Sequence, residues 1–328
     1  MPKTRYVVTG AAGFIGSRLL EVLAARHPAE QLLAVDHPIL LDKITNLKVA
    51  PGVPFQDHHT FLRTLEADTI IPDVIFHMGA CSSTTESNWA YLAENNVEYS
   101  QRLWTWCAVH GRRLIYASSA ATYGDGSQGF DDEQDISRLQ PLNLYGKSKH
   151  DFDLWIERQV ALGSPQPAQS VGLKFFNVFG PGESHKGRMA SMVLHGWNQI
   201  RQHGVVRLFK SHRADFSDGG QLRDFIYVRD VVGVMLALAA QPHVSGLFNL
   251  GTGHAHSFRE LIDGLFIALG RKSCIEYIPM PEDLREKYQY FTEATMRKIT
   301  KAGIPYSPTP LAVAVTEYAQ WLEAQPSS

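Results

Sequence analysis

The stretch Arg5-Tyr6-Val7-Val8-Thr9-Gly10-Ala11-Ala12-Gly13-Phe14-Ile15-Gly16 decides the fold. Arg5 to Thr9 reads as a short buried strand. From Phe14 to Ala25, Ile15, Leu19, Leu20 and Leu23 recur at helical spacing. Between the two elements, Gly10, Gly13 and Gly16 are spaced Gly-x-x-Gly-x-x-Gly. Glycine allows a tight turn, lets backbone approach a pyrophosphate and permits close helix–strand contact. The helix N-terminus then offers N–H groups and partial positive charge to phosphates. Such spacing is weak by itself. Here it joins a strand to an amphipathic helix, and Asp36 follows Gly16 by 20 positions. That context makes it a dinucleotide-binding turn.

Outward from this unit, strands and helices alternate. Leu32 to Val35, Val74 to Phe76, Arg113 to Ala117 and Val171 to Phe175 read as strands. Asn88 to Val109 and Leu144 to Val160 read as helices. Apolar strands separated by helix-length segments predict an α/β fold, a doubly wound parallel (Rossmann) sheet covered on both faces. Ser164 to Ser170 reads as a loop. After Asn177 the alternation loosens, with a Gly180-Pro181-Gly182 turn and a polar stretch from Ser211 to Gln221. That region is expected to form a smaller C-terminal substrate lobe. Phe225 to Ala240 and Leu247 to Leu250 read as a helix and a strand returning to the sheet. The expected division is 1–176 plus about 225–253 for the dinucleotide domain, and 177–224 plus about 254–328 for the lobe. No internal repeat is present.

The chain has 328 residues, 44% hydrophobic and 20% charged, which excludes a disordered or fibrous protein. Lys plus Arg is 31 against 33 Asp plus Glu, a formal net charge of -2. No basic field is available for nucleic acid or an anionic membrane. Cys81, Cys107 and Cys274 lie far apart without metal spacing, so reduced, buried thiols in a cytoplasmic protein are expected, and no metal site. The N-terminus lacks a signal-peptide run, and no apolar stretch could span a membrane.

Polar groups cluster at the predicted strand ends. Asp36 can accept hydrogen bonds from an adenosine ribose and favours NAD, whereas Lys43 could neutralise a 2′-phosphate and favours NADP. His77-Met78-Gly79-Ala80 places small residues where a cofactor backbone would pass, and Asn95 lies in the next helix. Tyr145 and Lys149 stand at i and i+4 of a helix and point the same way. The ammonium, together with a cationic nicotinamide ring, is expected to lower the Tyr145 pKa, so that the phenol can exchange a proton with a sugar hydroxyl. Ser119 ends the fourth strand and can bond the same hydroxyl.

With the glycine turn, Ser119 and the Tyr145-x-x-x-Lys149 pair together, the chain resembles the extended short-chain dehydrogenase/reductase family, which acts on nucleotide sugars. Cys81-Ser82-Ser83-Thr84-Thr85-Glu86, Ala117-Ser118-Ser119-Ala120-Ala121-Thr122-Tyr123-Gly124 and above all His185-Lys186-Gly187-Arg188-Met189-Ala190-Ser191 are similar to its ADP-heptose 6-epimerase branch. The resemblance covers nearly the whole length. It implies an isomerase that interconverts the D- and L-glycero forms of ADP-glycero-manno-heptose for lipopolysaccharide core synthesis, working as a homo-oligomer on bound NADP, with NAD the alternative. It places Gly10, Gly13, Phe14, Ile15, Gly16, Asp36, His37, Lys43, Met78, Gly79, Ala80, Cys81, Ser82, Asn95, Lys149, Val178 and Lys186 at the cofactor. Ser119, Asn177, Arg188, His195, Phe209, Arg223 and Tyr288 fall at the substrate. Tyr145 and Lys186 take the two acid/base positions, with Lys149 and Ser119 supporting Tyr145.

Arg188 stands where the best-known members have Ser, Met78 replaces an acidic residue, and the segment from Lys210 to Leu222 is longer than expected. Two competing functions are a 4-epimerase or 4,6-dehydratase on another nucleotide sugar, and a non-catalytic dinucleotide sensor. A dehydratase would carry an acidic pair near Ser119, where this chain has Ala120 and Ala121. A sensor would have lost Tyr145 or Lys149. Plainer roles compete residue by residue: His185 as a loop-shaping residue, Arg223 as a partner of Asp224 or Asp230, and Lys186 as a phosphate clamp.

Overall fold

β1 (Tyr6–Thr9) is buried at every residue. It has parallel neighbours on both edges, β2 (Leu32–Asp36) and β4 (Val74–His77). A strand enclosed in this way has no solvent face, which is why its sequence is a continuous apolar run. The computed structural model describes residues 5–37, 44–285 and 288–325. Beyond these three strands the main sheet contains β3 (Phe55–Asp57), β5 (Arg113–Ser119), β6 (Gln169–Phe175) and β10 (Gly246–Leu250). Seven strands pair in the order β10-β6-β5-β4-β1-β2-β3, every pair parallel. The order reverses between β1 and β4. Ligands of such sheets bind there, beyond the carboxyl ends of the strands.

The sheet is covered on both faces. Leu19, Leu20 and Leu23 of α1 (Phe14–Ala24) pack on Val8, Phe76 and Ile115, together with Val231, Met235 and Leu238 of the helix Val228–Ala239. Val7, Ile75 and Leu114 point the other way, onto Phe61, Leu65, Leu103 and Trp104. Successive strand residues therefore serve opposite cores, as period-2 geometry requires.

A second cluster joins the helices Met192–His203, Phe258–Ala268 and Leu311–Glu323 around Val193, Ile262, Phe266 and Tyr318. Two small sheets frame it. One has the order β11-β9-β7, with β7 (Asn177–Phe179), β9 (Leu222–Tyr227) and β11 (Ala255–Ser257); the other pairs β8 (Val206–Phe209) with β12 (Ile275–Ile278). Phe14, the first residue of α1, is buried in this cluster, so the glycine turn sits where the two cores meet.

Three expectations are corrected. Phe225 to Ala240 is not one helix: Leu222–Tyr227 is a strand, and the helix begins at Val228. A short apolar run such as Phe225-Ile226-Tyr227 carries no period that separates strand from helix, and pairing with β7 and β11 decides it. The segment Asn88 to Val109 is helical but interrupted by a π turn at Ala93–Glu98. The cysteines are free, but only Cys107 is buried; Cys81 is half-buried and Cys274, at the edge before β12, is exposed. No described helix is long and apolar enough to cross a membrane.

The glycine turn is tight. Gly10 has φ +67°, and a Cβ there would lie 2.6 Å from the Gly79 amide nitrogen at the exit of β4. A Cβ on Gly16 would collide with the Gly10 carbonyl oxygen. Gly16→Ala must therefore reshape the turn. Dinucleotide affinity measured by calorimetry is expected to fall at least about tenfold, roughly 1.4 kcal/mol. Unchanged affinity would show that the turn does not need this contact.

Candidate active site

The carboxyl ends of the central strands and the start of α1 open into a cleft of about 660 Å³. Gly10, Gly13, Phe14, Ile15 and Gly16 form one wall. The N-cap residue of α1, Gly13, makes no side-chain cap, and no acidic residue lies in the first turn. The helix therefore presents N–H groups and partial positive charge suited to a phosphate.

Asp36 lines this cleft and also an adjoining cavity of about 270 Å³. Its Oδ2 accepts from the Ala12 N–H at 2.8 Å and its Oδ1 from the His37 N–H at 2.7 Å. His37, Cys81 and Asn95 line the smaller cavity with His58 and Tyr99. Lys43 lies outside the described residues. Met78, Gly79, Ala80, Ser82 and Val178 line the main cleft.

Beneath the turn, a hydrogen-bond chain has one consistent polarity. The Gly79 N–H donates to Thr9 Oγ1 at 3.1 Å, and Thr9 Oγ1 lies 2.7 Å from His77 Nδ1. His77 Nε2 lies 2.8 Å from Ser100 Oγ, which donates to the Asn96 carbonyl at 2.7 Å. Ser100 must then accept from Nε2–H, leaving Nδ1 to accept from Thr9. Burial, aided by Lys149, holds His77 down to about 3, so the ring is neutral. Thr9 and His77 thereby lock the ends of β1 and β4 together.

The sequence reading missed Asn96. Its Oδ1 accepts from the Cys81 N–H at 2.8 Å, and its Nδ2 donates to the Cys81 carbonyl at 3.0 Å and to Ser148 Oγ at 2.9 Å. Ser148 donates to the Tyr145 carbonyl at 2.7 Å. The π turn holds Asn96 fully buried, while Asn95 is half-buried and donates to the Tyr91 carbonyl at 2.9 Å.

Tyr145 and Lys149 stand on the helix Leu144–Ala161, whose first turn is capped by Asn143 Oδ1 accepting from the Gly146 N–H at 2.8 Å. Both line the cleft beside Ser119. Lys149 Nζ donates to the Ala117 carbonyl at 2.9 Å. Burial lowers Lys149 to about 8, against the opposing charge of Asp153. In the protein alone burial is the larger influence and raises Tyr145, while the Ser119 hydroxyl opposes.

Lys186 enters the same cleft from the segment Ser184–Met189. Its Nζ lies 5.3 Å from the centroid of the Phe14 ring. Burial lowers its pKa and Glu183 opposes. Glu183 closes this loop: its carboxylate accepts from the Ser191 N–H and Oγ, both at 2.6 Å, and from the Gly180 N–H at 3.3 Å. Asn46 ties the loop to the glycine turn, donating to the carbonyls of Ala12 at 3.1 Å and Gly182 at 3.2 Å. Its Nδ2 also lies 3.1 Å from His185 Nδ1.

Asn177, Arg188, His195, Arg223 and Tyr288 line the far wall. Phe209 does not reach the cleft lining; its ring packs edge-on to Tyr288 at 6.4 Å. Arg223 donates to the carbonyls of Leu222, at 2.8 Å, and Gln289, and its guanidinium lies 5.2 Å from the Tyr288 ring centroid. Its candidate structural partners are engaged elsewhere: Asp224 with Thr252, Gly253 and Ala294, and Asp230 with Thr309. Among the described residues, no group of three or more His, Cys, Asp or Glu is placed to hold a metal ion. The arrangement brings a helix N-terminus suited to phosphate, the side chains of Ser119, Tyr145 and Lys149, and a half-buried second lysine, Lys186, to one cavity.

The NAD dependent epimerase/dehydratase family matches residues 6–251. ADP-L-glycero-D-manno-heptose-6-epimerase of Nitratidesulfovibrio vulgaris is 48% identical over 325 residues, 97% of this chain and 98% of that protein. The enzyme of the same name from Fusobacterium nucleatum is 42% identical over 327 residues, 96% of each. The crystal structure of the Helicobacter pylori enzyme of that name superposes with a TM-score of 0.79 at 26% identity, covering 98% of this chain and 97% of that one.

The depressed Lys149 has a measurable consequence. Between about pH 8 and 10.5 the unfolded chain binds this proton and the folded one does not, so the group makes stability rise with pH. Lys149→Met should remove about 1.4 kcal/mol per pH unit from the slope of unfolding free energy in that window. Equal slopes in urea titrations of the two proteins would mean that Lys149 is not held depressed.

Proposed function

The chain belongs to the NAD dependent epimerase/dehydratase family, and from that premise we propose that it epimerises ADP-glycero-manno-heptose at C6, from the D- to the L-glycero form. The observation that carries this reading is the 48% identity, over nearly the full length of both chains, to a heptose 6-epimerase. The protein is an isomerase whose product serves lipopolysaccharide core synthesis. Its place of work is the cytoplasm, where nucleotide sugars are at hand.

The residues present fit a dinucleotide. Gly10 allows the backbone approach at Gly79, the α1 N-terminus suits a pyrophosphate, and Asp36 stands ready for a ribose. Bound there, the nicotinamide would supply reversible hydride transfer at C6, with no net redox change. We assign NADP as the preferred form, because Lys43 follows Asp36 and because the family resemblance points that way. Residues 1–176 with about 225–253 would hold this cofactor, and the remainder the nucleotide sugar.

Tyr145 takes the proton of the C6 hydroxyl, with Ser119 bonding the same oxygen and Lys149 stabilising the phenolate. C6 lies on an exocyclic arm, so rotation about one bond presents the other face of the carbonyl. That rotation moves the carbonyl oxygen. A proton donor must lie within about 2.6–3.2 Å of its target, so one phenol cannot serve both positions. Lys186 supplies the second acid/base, its pKa brought down by burial. Arg223, which has no carboxylate partner among the described residues, would bind the diphosphate. Ala120 and Ala121 leave no acidic pair beside Ser119 for the elimination a dehydratase performs. Self-association through the helices around Trp89–Val109 and Leu144–Ala161 is part of the same reading; Tyr91, Val109 and Val160 are exposed there.

Purified protein incubated with ADP-D-glycero-D-manno-heptose should yield the L-glycero epimer on chromatography; a 4-epimer made from UDP-hexose instead would replace this reading. Tyr145→Phe should lose most turnover while binding cofactor normally. Lys186→Met should cut kcat by about 10²-fold or more with KM little changed. A raised KM at normal kcat would make Lys186 a phosphate clamp. Nucleotide released from denatured protein should be NADP; NAD alone, with no NADP binding, would give the decision to Asp36.

A further inference from the structure

Behind the catalytic wall lies a buried ion pair that the reaction above does not use. Lys174 lies within β6 and Asp153 on the Tyr145 helix, and both side chains are 0% exposed. Lys174 Nζ donates to Asp153 Oδ2 at 3.0 Å and to Thr122 Oγ1 at 2.6 Å. Ser118 Oγ donates to the same Asp153 oxygen at 2.6 Å. Thr122 Oγ1 donates in turn to the Ser119 carbonyl at 2.8 Å. The pair thus joins β5, which carries Ser119, the helix that carries Tyr145 and Lys149, and β6, which leads into Asn177 of β7.

Fold stability is a poor account of such a pair. Removing two charges from water costs several kcal/mol, and apolar replacements of similar volume are often neutral or stabilising. Its location is more telling. Asp153 follows Lys149 by four residues, on the same helix face. Ser118 precedes Ser119 directly.

Resting on the epimerase reading, we infer that Asp153 and Lys174 are positioning residues: they brace Ser119 from behind through Ser118 and Thr122, and they set a negative charge one helical turn beneath the Lys149 ammonium. Asp153 is the leading group that holds the Lys149 proton on against burial. The other titratable neighbours of Lys149 are Cys81 from the loop after β4, His77 of β4, which is neutral, and Tyr145 one turn before. The carboxylate itself is faced by Lys174 of β6, Tyr116 of β5, and His150 and Glu157 of its own helix. Loss of Asp153 should let Lys149 release its proton below its present value of about 8 and weaken the charge that supports the Tyr145 phenolate.

The test compares wild type with Asp153→Asn, Lys174→Met and the double variant, all as holoenzyme. Each single variant leaves one partner buried and unmatched, so its Tm should fall; the double variant should recover most of that loss. Positioning predicts a different pattern for the chemistry. In the double variant, kcat should stay at least about tenfold low with KM little changed, and the alkaline limb of the rate profile should move to lower pH. An NMR titration of nitrogen-labelled lysine, assigned with Lys149→Arg, should show Lys149 titrating lower in Asp153→Asn and in the double variant. That titration needs no substrate. If wild type fails to turn over ADP-heptose, the function reading falls while the titration still judges the pair. If the double variant does not fold, Thr122→Val keeps the shape and cuts the link from Lys174 to Ser119; it should lower kcat by about tenfold at wild-type KM. A double variant with wild-type kcat and an unmoved Lys149 titration, or a Thr122→Val protein of full activity, would overturn the inference and leave the pair a structural one.

Discussion

The close approach of Gly10 to the backbone of Gly79 is the constraint on which the rest of the site depends. It brings the end of β1, the start of α1 and the exit of β4 to one point, at the place where strand order reverses. No side chain can be inserted there. Because α1 starts uncapped, its N-terminus keeps N–H groups and partial positive charge suited to a phosphate. Because Phe14 then turns into the core of the second lobe, the same helix start anchors that lobe and gives Lys186 a ring to lie against. Both walls of the cleft are therefore set by one turn of backbone.

Burial governs the chemistry of the site more than any single charge does. It lowers both lysines toward the range where proton transfer is efficient and raises Tyr145 away from it. Buried carboxylates moderate it: Asp153 for Lys149 and Glu183 for Lys186. The loop closed by Glu183 and Asn46 fixes where the Lys186 side chain enters the cleft.

The layout of the sheet was legible because enclosed parallel strands write themselves as apolar runs, and because Gly10, Gly13 and Gly16 punctuate one strand–helix junction. The residues read at the cleft were legible for a similar reason: Tyr145 and Lys149 keep a helical interval, and Arg188 lies in a distinctive block. β9 was misread as helix because its last residues are uniformly apolar. Asn96, Asn46 and Glu183 escaped because their function depends on backbone groups brought together from distant segments, which no spacing encodes. Lys174 did leave a signal: a lysine inside Val171-Gly172-Leu173-Lys174-Phe175-Phe176 calls for a buried anion. Phe209, expected at the substrate, packs its ring edge-on to Tyr288.

The central claim is that one bound nicotinamide takes the C6 hydride and returns it to the opposite face of the same carbon. ADP-D-glycero-D-manno-heptose carrying deuterium at C6 tests it most directly, with the product examined by mass spectrometry after turnover in ordinary water. The account predicts that the L-glycero product keeps its deuterium at C6. Loss of the label to solvent would contradict it and point to inversion by proton abstraction.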